Sequence, residues 1–221
     1  MFLAQYVCPI CKKSLVLANQ SYRCQNNHSF DEAKEGYVNL LPVQHKHSKD
    51  PGDNKAMVNA RRQFLDKGFY QPLADELQSL YQQYGDLTKP VFDAGCGGID
   101  IAKNAVKNAA KKYKDCQFSV ATLSQLPFSE NYFSWINSIY APILEEEFTR
   151  ILANNGYLVT VTPAKNHLIE LKALIYRTAQ QHDMTKSPIE NLTLIAQKEV
   201  NYEMKFAEGE DIINLLAMTP F

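Results

Sequence analysis

Val91-Phe92-Asp93-Ala94-Gly95-Cys96-Gly97 is the stretch that decides how this 221-residue chain folds. Two apolar residues lead into an acid, and then into a turn built from glycines. A parallel β-strand ends this way when its backbone must come close to a ligand. Gly95 and Gly97 lack a Cβ, so they reach positive φ and let a nucleoside-like group touch the main chain. The carboxyl end of a parallel strand is also where open α/β sheets bind ligands. Asp93, at the lip of the turn, can accept hydrogen bonds from hydroxyl or ammonium groups.

A phosphate-binding dinucleotide turn requires Gly-x-Gly-x-x-Gly and a bare helix N-terminus. Here the third glycine is absent, and an acid that repels phosphate precedes the first. The turn therefore favours a cationic or neutral nucleoside. Asp-x-Gly-Cys-Gly resembles the first motif of the S-adenosylmethionine-dependent methyltransferases, whose ligand carries a sulfonium, an ammonium and a ribose. On five residues alone, an ordinary strand-turn stays open.

Hydrophobic residues make up 45% of the chain, which argues against global disorder. No apolar run reaches the ~18–20 residues needed to span a bilayer. The start, Met1-Phe2-Leu3-Ala4-Gln5-Tyr6, lacks the basic and apolar regions of a signal peptide. Five cysteines, an odd number that includes a Cys-x-x-Cys pair, read as metal ligands or free thiols rather than a disulfide framework. These features predict a cytoplasmic protein with no membrane partner. The net charge of −1 leaves nucleic-acid contact to local basic patches.

Residues 1–36 read as a separate zinc-binding module. Cys8 and Cys11 are followed, after twelve residues, by Cys24 and His28. Two residues between thiolates let both sulfurs point into one tetrahedron. The twelve-residue gap fits a hairpin turning at Asn19-Gln20 that returns the second pair to the first. Three thiolates and one imidazole make a closed, structural zinc site, one ion per chain. A redox pair would want a βαβ context, and none is visible. So short a module has too little core to fold alone, so the metal stabilises it.

After this knuckle comes Phe30-Asp31-Glu32-Ala33-Lys34-Glu35-Gly36-Tyr37-Val38-Asn39-Leu40-Leu41-Pro42-Val43-Gln44. Together with Cys8, Cys11, Cys24, His28 and Asp50-Pro51-Gly52-Asp53, it resembles the large-subunit ribosomal RNA (guanine-N(1)-)-methyltransferases of the RlmA type. The resemblance runs to Met218-Thr219-Pro220-Phe221. It implies a class I, Rossmann-like α/β methyltransferase domain behind the zinc module. It also implies methyl transfer from S-adenosylmethionine to N(1) of a guanine in a hairpin loop of 23S ribosomal RNA, and it allows a homodimer.

Residues 37–90 read as a linker and two helices. His45 to Asp53 is polar with a Pro-Gly turn; it is either a solvated loop or, with Arg61 and Arg62, a contact to RNA phosphates. Asp53 is predicted to cap a helix ending near Lys67, and a second helix starts around Tyr70-Gln71-Pro72. A tyrosine at such a bend is usually packing. The family resemblance implies that Tyr70 touches the cofactor.

Residues 91–221 read as the methyltransferase domain. The acid that holds a ribose usually lies ~20 residues past the glycine turn. Asp100 lies three past Gly97, yet Gly98-Ile99-Asp100-Ile101 looks like the end of a second strand with that acid. The spacing predicts that a segment is missing between Gly97 and Gly98; an unbroken backbone with a Cα separation near 3.8 Å would contradict it. The alternative is a shortened domain in which residues 117–121 form the second strand, with no acid for the ribose. Lys103, Lys107 and Lys111 share one helix face, a solvated row or a phosphate contact. Thr122 stands where relatives of the wider superfamily place the acid that meets the adenine. Tyr140, Ala141 and Pro142 end the fourth strand and are candidates for positioning the methylated base; the catalytic base itself is not identified. His167 leaves the fifth strand at the same edge and matches a family cofactor contact. It can equally be structural or a base. Val200 to Phe206 is predicted as a sixth strand, with the usual seventh missing from a truncated C-terminus. Two other readings remain: a methyltransferase for a small molecule or protein, and a non-enzymatic zinc-ribbon adaptor.

Overall fold

A computed structural model describes residues 5–42, 53–86, 88–94, 98–177, 181–182 and 189–219. The chain begins with a small antiparallel sheet of β1 (Val16–Ala18), β2 (Ser21–Arg23) and β3 (Ser29–Asp31). Val16 pairs with Arg23 and Ala18 with Ser21. The two residues between, Asn19 and Gln20, have φ of 51° and 60°. Two positive φ values in a two-residue hairpin match the twist of its strands, so the turn falls where the sequence placed it.

β4 (Tyr37–Asn39) then leaves the small sheet and pairs in parallel with a strand much later in the chain. α1 (Lys55–Asp66) and α2 (Gln71–Tyr84) follow. α1 is capped by Asn54, whose side chain accepts from the Met57 N–H at 3.0 Å. The predicted cap, Asp53, instead pairs with Arg61. In α2 only Leu73 is fully buried.

The large sheet adds β5 (Val91–Ala94), β6 (Ile99–Asp100), β7 (Phe118–Val120), β8 (Phe133–Ile139) and β9 (Leu152–Val161), all parallel. Its order is β4-β7-β6-β5-β8-β9. Counted from β5, the five main strands lie 3-2-1-4-5, the doubly wound order whose ligand crevice opens beside the first strand at the carboxyl edge. β8 is buried along most of its length, as a central parallel strand covered on both faces must be. Helix α3 (Lys103–Lys112) lies against β6 and β7, and α4 (Glu145–Ile151) against β9. Ile99–Asp100 is thus the second strand and Phe118–Val120 the third.

The connection from β5 to β6 is four residues long. Adjacent parallel strands normally need a crossover of a dozen or more. Here only Ala94 and Ile99 pair, and the Gly98 N–H donates back to the Asp93 carbonyl at 3.0 Å. β6 therefore pairs with β5 through the last residue of β5 alone. The bond from Gly97 to Gly98 lies outside the described residues.

α4 passes directly into β9 at Leu152, and Gly156 lies inside that strand. The register shifts there: Phe133 faces Leu152, but Trp135 faces Tyr157. A Cβ on Gly156 would meet the Ala153 carbonyl at 2.9 Å, so the bulge requires glycine. Val200–Phe206 forms no strand. Met204 and Phe206 pack against the α1 core around Phe64, so the alternating residues bury one face without a backbone partner. α5 (Ile169–Ile175) starts two residues after His167, and α6 (Gly209–Met218) packs on α1 through Leu215 and Met218.

Candidate functional site

Both zinc knuckles close through local backbone bonds. The Cys8 N–H donates to the Lys13 carbonyl at 2.7 Å, and the Asn27 N–H to the Cys24 carbonyl at 3.0 Å. Lys12 and Asn27 take left-handed φ values of 60° and 61° to make these turns. The donor atoms of Cys8, Cys11, Cys24 and His28 all lie within 4.8 Å of one another. His28 Nδ1 is 3.5 Å from Cys8 Sγ and 3.4 Å from Cys24 Sγ, and Cys11 Sγ is 3.6 Å from Cys24 Sγ. A tetrahedron with arms of ~2.3 Å has edges of about 3.7 Å, so the arrangement fits zinc. The sulfurs are far beyond the ~2.05 Å of a disulfide. The Lys13 N–H holds the Cys11 thiol down to about 6, and burial pushes the Cys8 thiol up.

The module is bound to the large sheet. Tyr6 bridges Phe128, the Val7 N–H donates to the Pro127 carbonyl at 2.9 Å, and the Tyr6 and Phe128 rings stack 5.4 Å apart. At its other end Lys107 of α3 pairs with buried Glu35 at 3.3 Å.

The second cluster forms at the carboxyl edge of the sheet. Asp93 pairs in register with Asn137 of β8. Its Oδ1 is buried with no hydrogen-bond partner among the described residues, and burial raises its pKa to about 6. An orphaned buried carboxylate oxygen is costly unless a donor arrives from outside, and the ammonium or hydroxyls of a nucleoside ligand supply one. Asp100 stands at the end of β6, accepts from the Ala102 N–H at 2.7 Å, and is also pushed up by burial. Thr122 is less free: its hydroxyl lies 2.9 Å from Ser124 Oγ and caps a 3-10 turn over Leu123–Gln125. Gly95 and Gly97 lie outside the described residues, as do His45, His47 and the Pro51-Gly52 turn.

Tyr140 directly follows β8, with a left-handed φ of 51°. A bulky residue in that region carries backbone strain, which concentrates at functional sites. Its ring lies 6.1 Å from Tyr70 and 5.4 Å from His167. Three residues that the sequence spreads over a hundred positions therefore form one aromatic cluster. Ala141 and Pro142 continue the same loop. Sequence reasoning missed His182, whose ring is 6.1 Å from His167 and whose Nε2 is 2.6 Å from Lys172 Nζ. No local pattern announces such a pair.

The cations divide. Arg61 is engaged with Asp53 and with the Met218 carbonyl at 3.1 Å, and Lys107 with Glu35. Arg62 and Lys111 line a cavity of about 780 Å³ between α1, α3 and α6, together with Lys67, Lys112, Asp66 and Glu208.

Residues 6–49 match the family described as RlmA, N-terminal, a zinc ribbon. A Bacillus subtilis (strain 168) protein named 23S rRNA (guanine-N(1)-)-methyltransferase YxjB is 28% identical over 249 residues, covering 98% of this chain and 86% of the relative. The 23S rRNA (guanine(748)-N(1))-methyltransferase of Streptomyces fradiae is 32% identical over 185 residues, covering 74% of this chain and 65% of the relative. A 23S rRNA (guanine-N(1)-)-methyltransferase of Micromonospora griseorubida is 30% identical over 204 residues, covering 74% of this chain and 67% of the relative. This chain belongs to the RlmA-type rRNA (guanine-N(1)-)-methyltransferase family. Membership accounts for the pairing of a zinc ribbon with a doubly wound sheet. The alignment with the Bacillus subtilis family member is longer than this chain itself. That relative therefore carries residues that are absent here. No helix among the described residues is long and apolar enough to cross a membrane.

Proposed function

We propose that this protein transfers the methyl group of S-adenosylmethionine to N(1) of a guanine in a hairpin loop of 23S ribosomal RNA, in the cytoplasm. The observation that carries the reading is the 30% identity to the Micromonospora griseorubida methyltransferase over two thirds of that relative. The strand order and the orphaned Asp93 oxygen support it independently.

S-adenosylmethionine, when bound, supplies a methyl group already activated on a sulfonium. Alignment is then the protein's main task. Asp93 meets the cationic or hydroxyl groups of the cofactor, Asp100 the ribose, and the backbone at Thr122 the adenine. The glycine turn at Gly95 and Gly97 admits the cofactor to the main chain. Tyr70 and His167 close around the reacting end. Tyr140, Ala141 and Pro142 position the guanine. N(1) lies on the Watson–Crick edge, so the base must be unpaired or flipped out, and a loop offers it at least cost. Cys8, Cys11, Cys24 and His28 hold one structural zinc in a module that docks RNA and takes no part in the reaction.

We also infer that a crossover segment present in relatives is missing between β5 and β6. The four-residue connection and the longer alignment with the Bacillus subtilis relative support this. The same connection favours the second reading, a zinc-ribbon adaptor that binds no cofactor. The test offers the protein S-adenosylmethionine and unmodified large-subunit ribosomal RNA, with nucleosides analysed by mass spectrometry. 1-Methylguanosine at one hairpin is the expected result. Cofactor binding without RNA methylation moves the acceptor elsewhere, and no cofactor binding favours the adaptor.

A further inference from the structure

Guanine N(1) carries a proton, and its lone pair belongs to the ring system. Attack on a methyl group therefore requires a group that removes the proton as the bond forms. Among the candidate residues few are suited to this. Asp93 and Asp100 face the cofactor's donors. The hydroxyls of Tyr70 and Tyr140 are pushed up by burial and hold their own protons at neutral pH. Thr122 does not titrate in the accessible range.

His167 differs in setting. It follows β9 at the carboxyl edge, half-buried, with its ring 5.4 Å from Tyr140 and tilted by 35°. Tyr140 begins two residues after Ser138, the β8 partner of Ala94 in the cofactor strand. His167 is thus placed across the loop expected to hold the guanine. Among the described residues, the charge that acts on it is cationic. Lys172 of α5 lies nearby, and its ammonium donates to His182 Nε2 at 2.6 Å, which holds His182 as an accepting, neutral imidazole. Tyr140 lies against the ring, Tyr70 and Tyr202 act on Tyr140, and Arg61 acts on Tyr70. Burial, His182 and Lys172 all lower the His167 pKa from its ordinary value, so the ring is neutral and able to accept at pH 7.

We propose that His167 is the catalytic base: its imidazole takes the N(1) proton of guanine as N(1) bonds to the methyl carbon. The inference rests on the methyltransferase reading above. The N(1)–carbon bond forms as the carbon–sulfur bond breaks, and that bond's electron pair stays on sulfur. The proton goes to the imidazole ring. The positive charge of the sulfonium vanishes as that of the imidazolium appears, so the site's net charge is unchanged. A weak base suffices, because a methylated N(1) that still bears its proton is strongly acidic.

The test is single-turnover methylation at saturating cofactor and RNA across the range from acid to mildly alkaline pH. For the wild-type chain the rate should rise with pH through an apparent pKa below the ordinary histidine value, then level off. At saturating cofactor Asp93 is paired and ionised, so its own titration is removed from this profile. His167→Gln should lose about 10²–10⁴-fold in rate and lose the acid limb, and imidazole added to His167→Gly should restore part of the rate. Calorimetry supplies a readout apart from turnover: cofactor affinity should change far less than the rate. The proposal is overturned if His167→Gln keeps the acid limb, or if its whole defect is a loss of cofactor affinity that saturation repairs. That second result would make His167 a cofactor contact only. Wild-type protein that binds cofactor yet methylates no RNA overturns the RNA-methylating reading and moves the acceptor elsewhere, and this inference falls with it.

Discussion

Arg150 and Glu147 clasp the backbone of residues 126–128 between them. Arg150 donates to the carbonyls of Leu126 at 3.0 Å and Phe128 at 2.8 Å, while Glu147 accepts from the Leu126 N–H at 2.6 Å and from Arg150 Nε at 2.7 Å. The loop so held is the one on which Tyr6 and Val7 of the zinc module rest. One ion pair on α4 therefore fixes the seat of the N-terminal module. Replacing Arg150 by Met strands the Glu147 carboxylate and two carbonyls. It should cost about 2–3 kcal/mol, read by urea unfolding. Proteolysis between the module and α1 should quicken at the same time.

Zinc removal should be felt beyond the ribbon. Cys8 and Cys24 belong to the same buried cluster as Phe92, Phe128 and Ile136 of the large sheet. Cys24→Ser, or prolonged chelation, should release one zinc per chain by elemental analysis. A loss of ~3 kcal/mol corresponds to a fall of roughly 10 °C in Tm. A two-step thermal transition with an unchanged upper step would instead make the ribbon independent.

Asp93 sets a stability that runs against function. Its folded-state pKa of about 6 stands above the unfolded value of about 3.9. The folded chain holds this proton more tightly than the unfolded chain does. Its contribution is therefore most favourable below pH ~4, falls between pH ~4 and ~6, and is a full penalty above that, on the order of 3 kcal/mol. Asp93→Asn should raise Tm at pH 7.5 and change it little at pH 4. The same substitution should weaken S-adenosylmethionine binding by at least about tenfold, measured by calorimetry. For the wild type, affinity should fall as pH drops through 6.

Arg62 and Lys111 are the cations of the 780 Å³ cavity that form no ion pair among the described residues. If they meet RNA phosphates, the double alanine variant should weaken RNA binding uniformly across sequences and lower the salt slope by about 1–2. Cofactor affinity should not change. Filter binding over a salt series reads both quantities.

What was legible in the sequence was local. The knuckles close within four or five residues, so Cys8, Cys11, Cys24 and His28 announce their site by spacing alone. Asp93 and Asp100 were legible because a strand end with an acid is a short pattern. The failures were tertiary. Val200 to Phe206 alternates like a strand, but alternation reports a buried face, and the extended chain laid that face on Phe64 and Phe69. Tyr140 and His167 meet because the sheet order places β9 beside β8, and Tyr70 reaches them from the turn between α1 and α2. Lys107 and Arg61 each read as solvated or as a phosphate contact, and their ion pairs with Glu35 and Asp53 carried no local signal.

β4 is made early and completed late. Tyr37 finds Phe118 only after about eighty further residues have been synthesised, a separation that slows pairing. The ribbon can close on its metal as soon as His28 has left the ribosome, while the strand attached to it waits without a partner. Until β7 arrives, the three-residue span Tyr37–Asn39 is an open, mostly apolar edge available to other chains. Once paired, it covers the flank of β7 that would otherwise be exposed. A fragment trimmed back to the catalytic sheet alone would lose that cover, so the N-terminal segment acts as a built-in guard against aggregation.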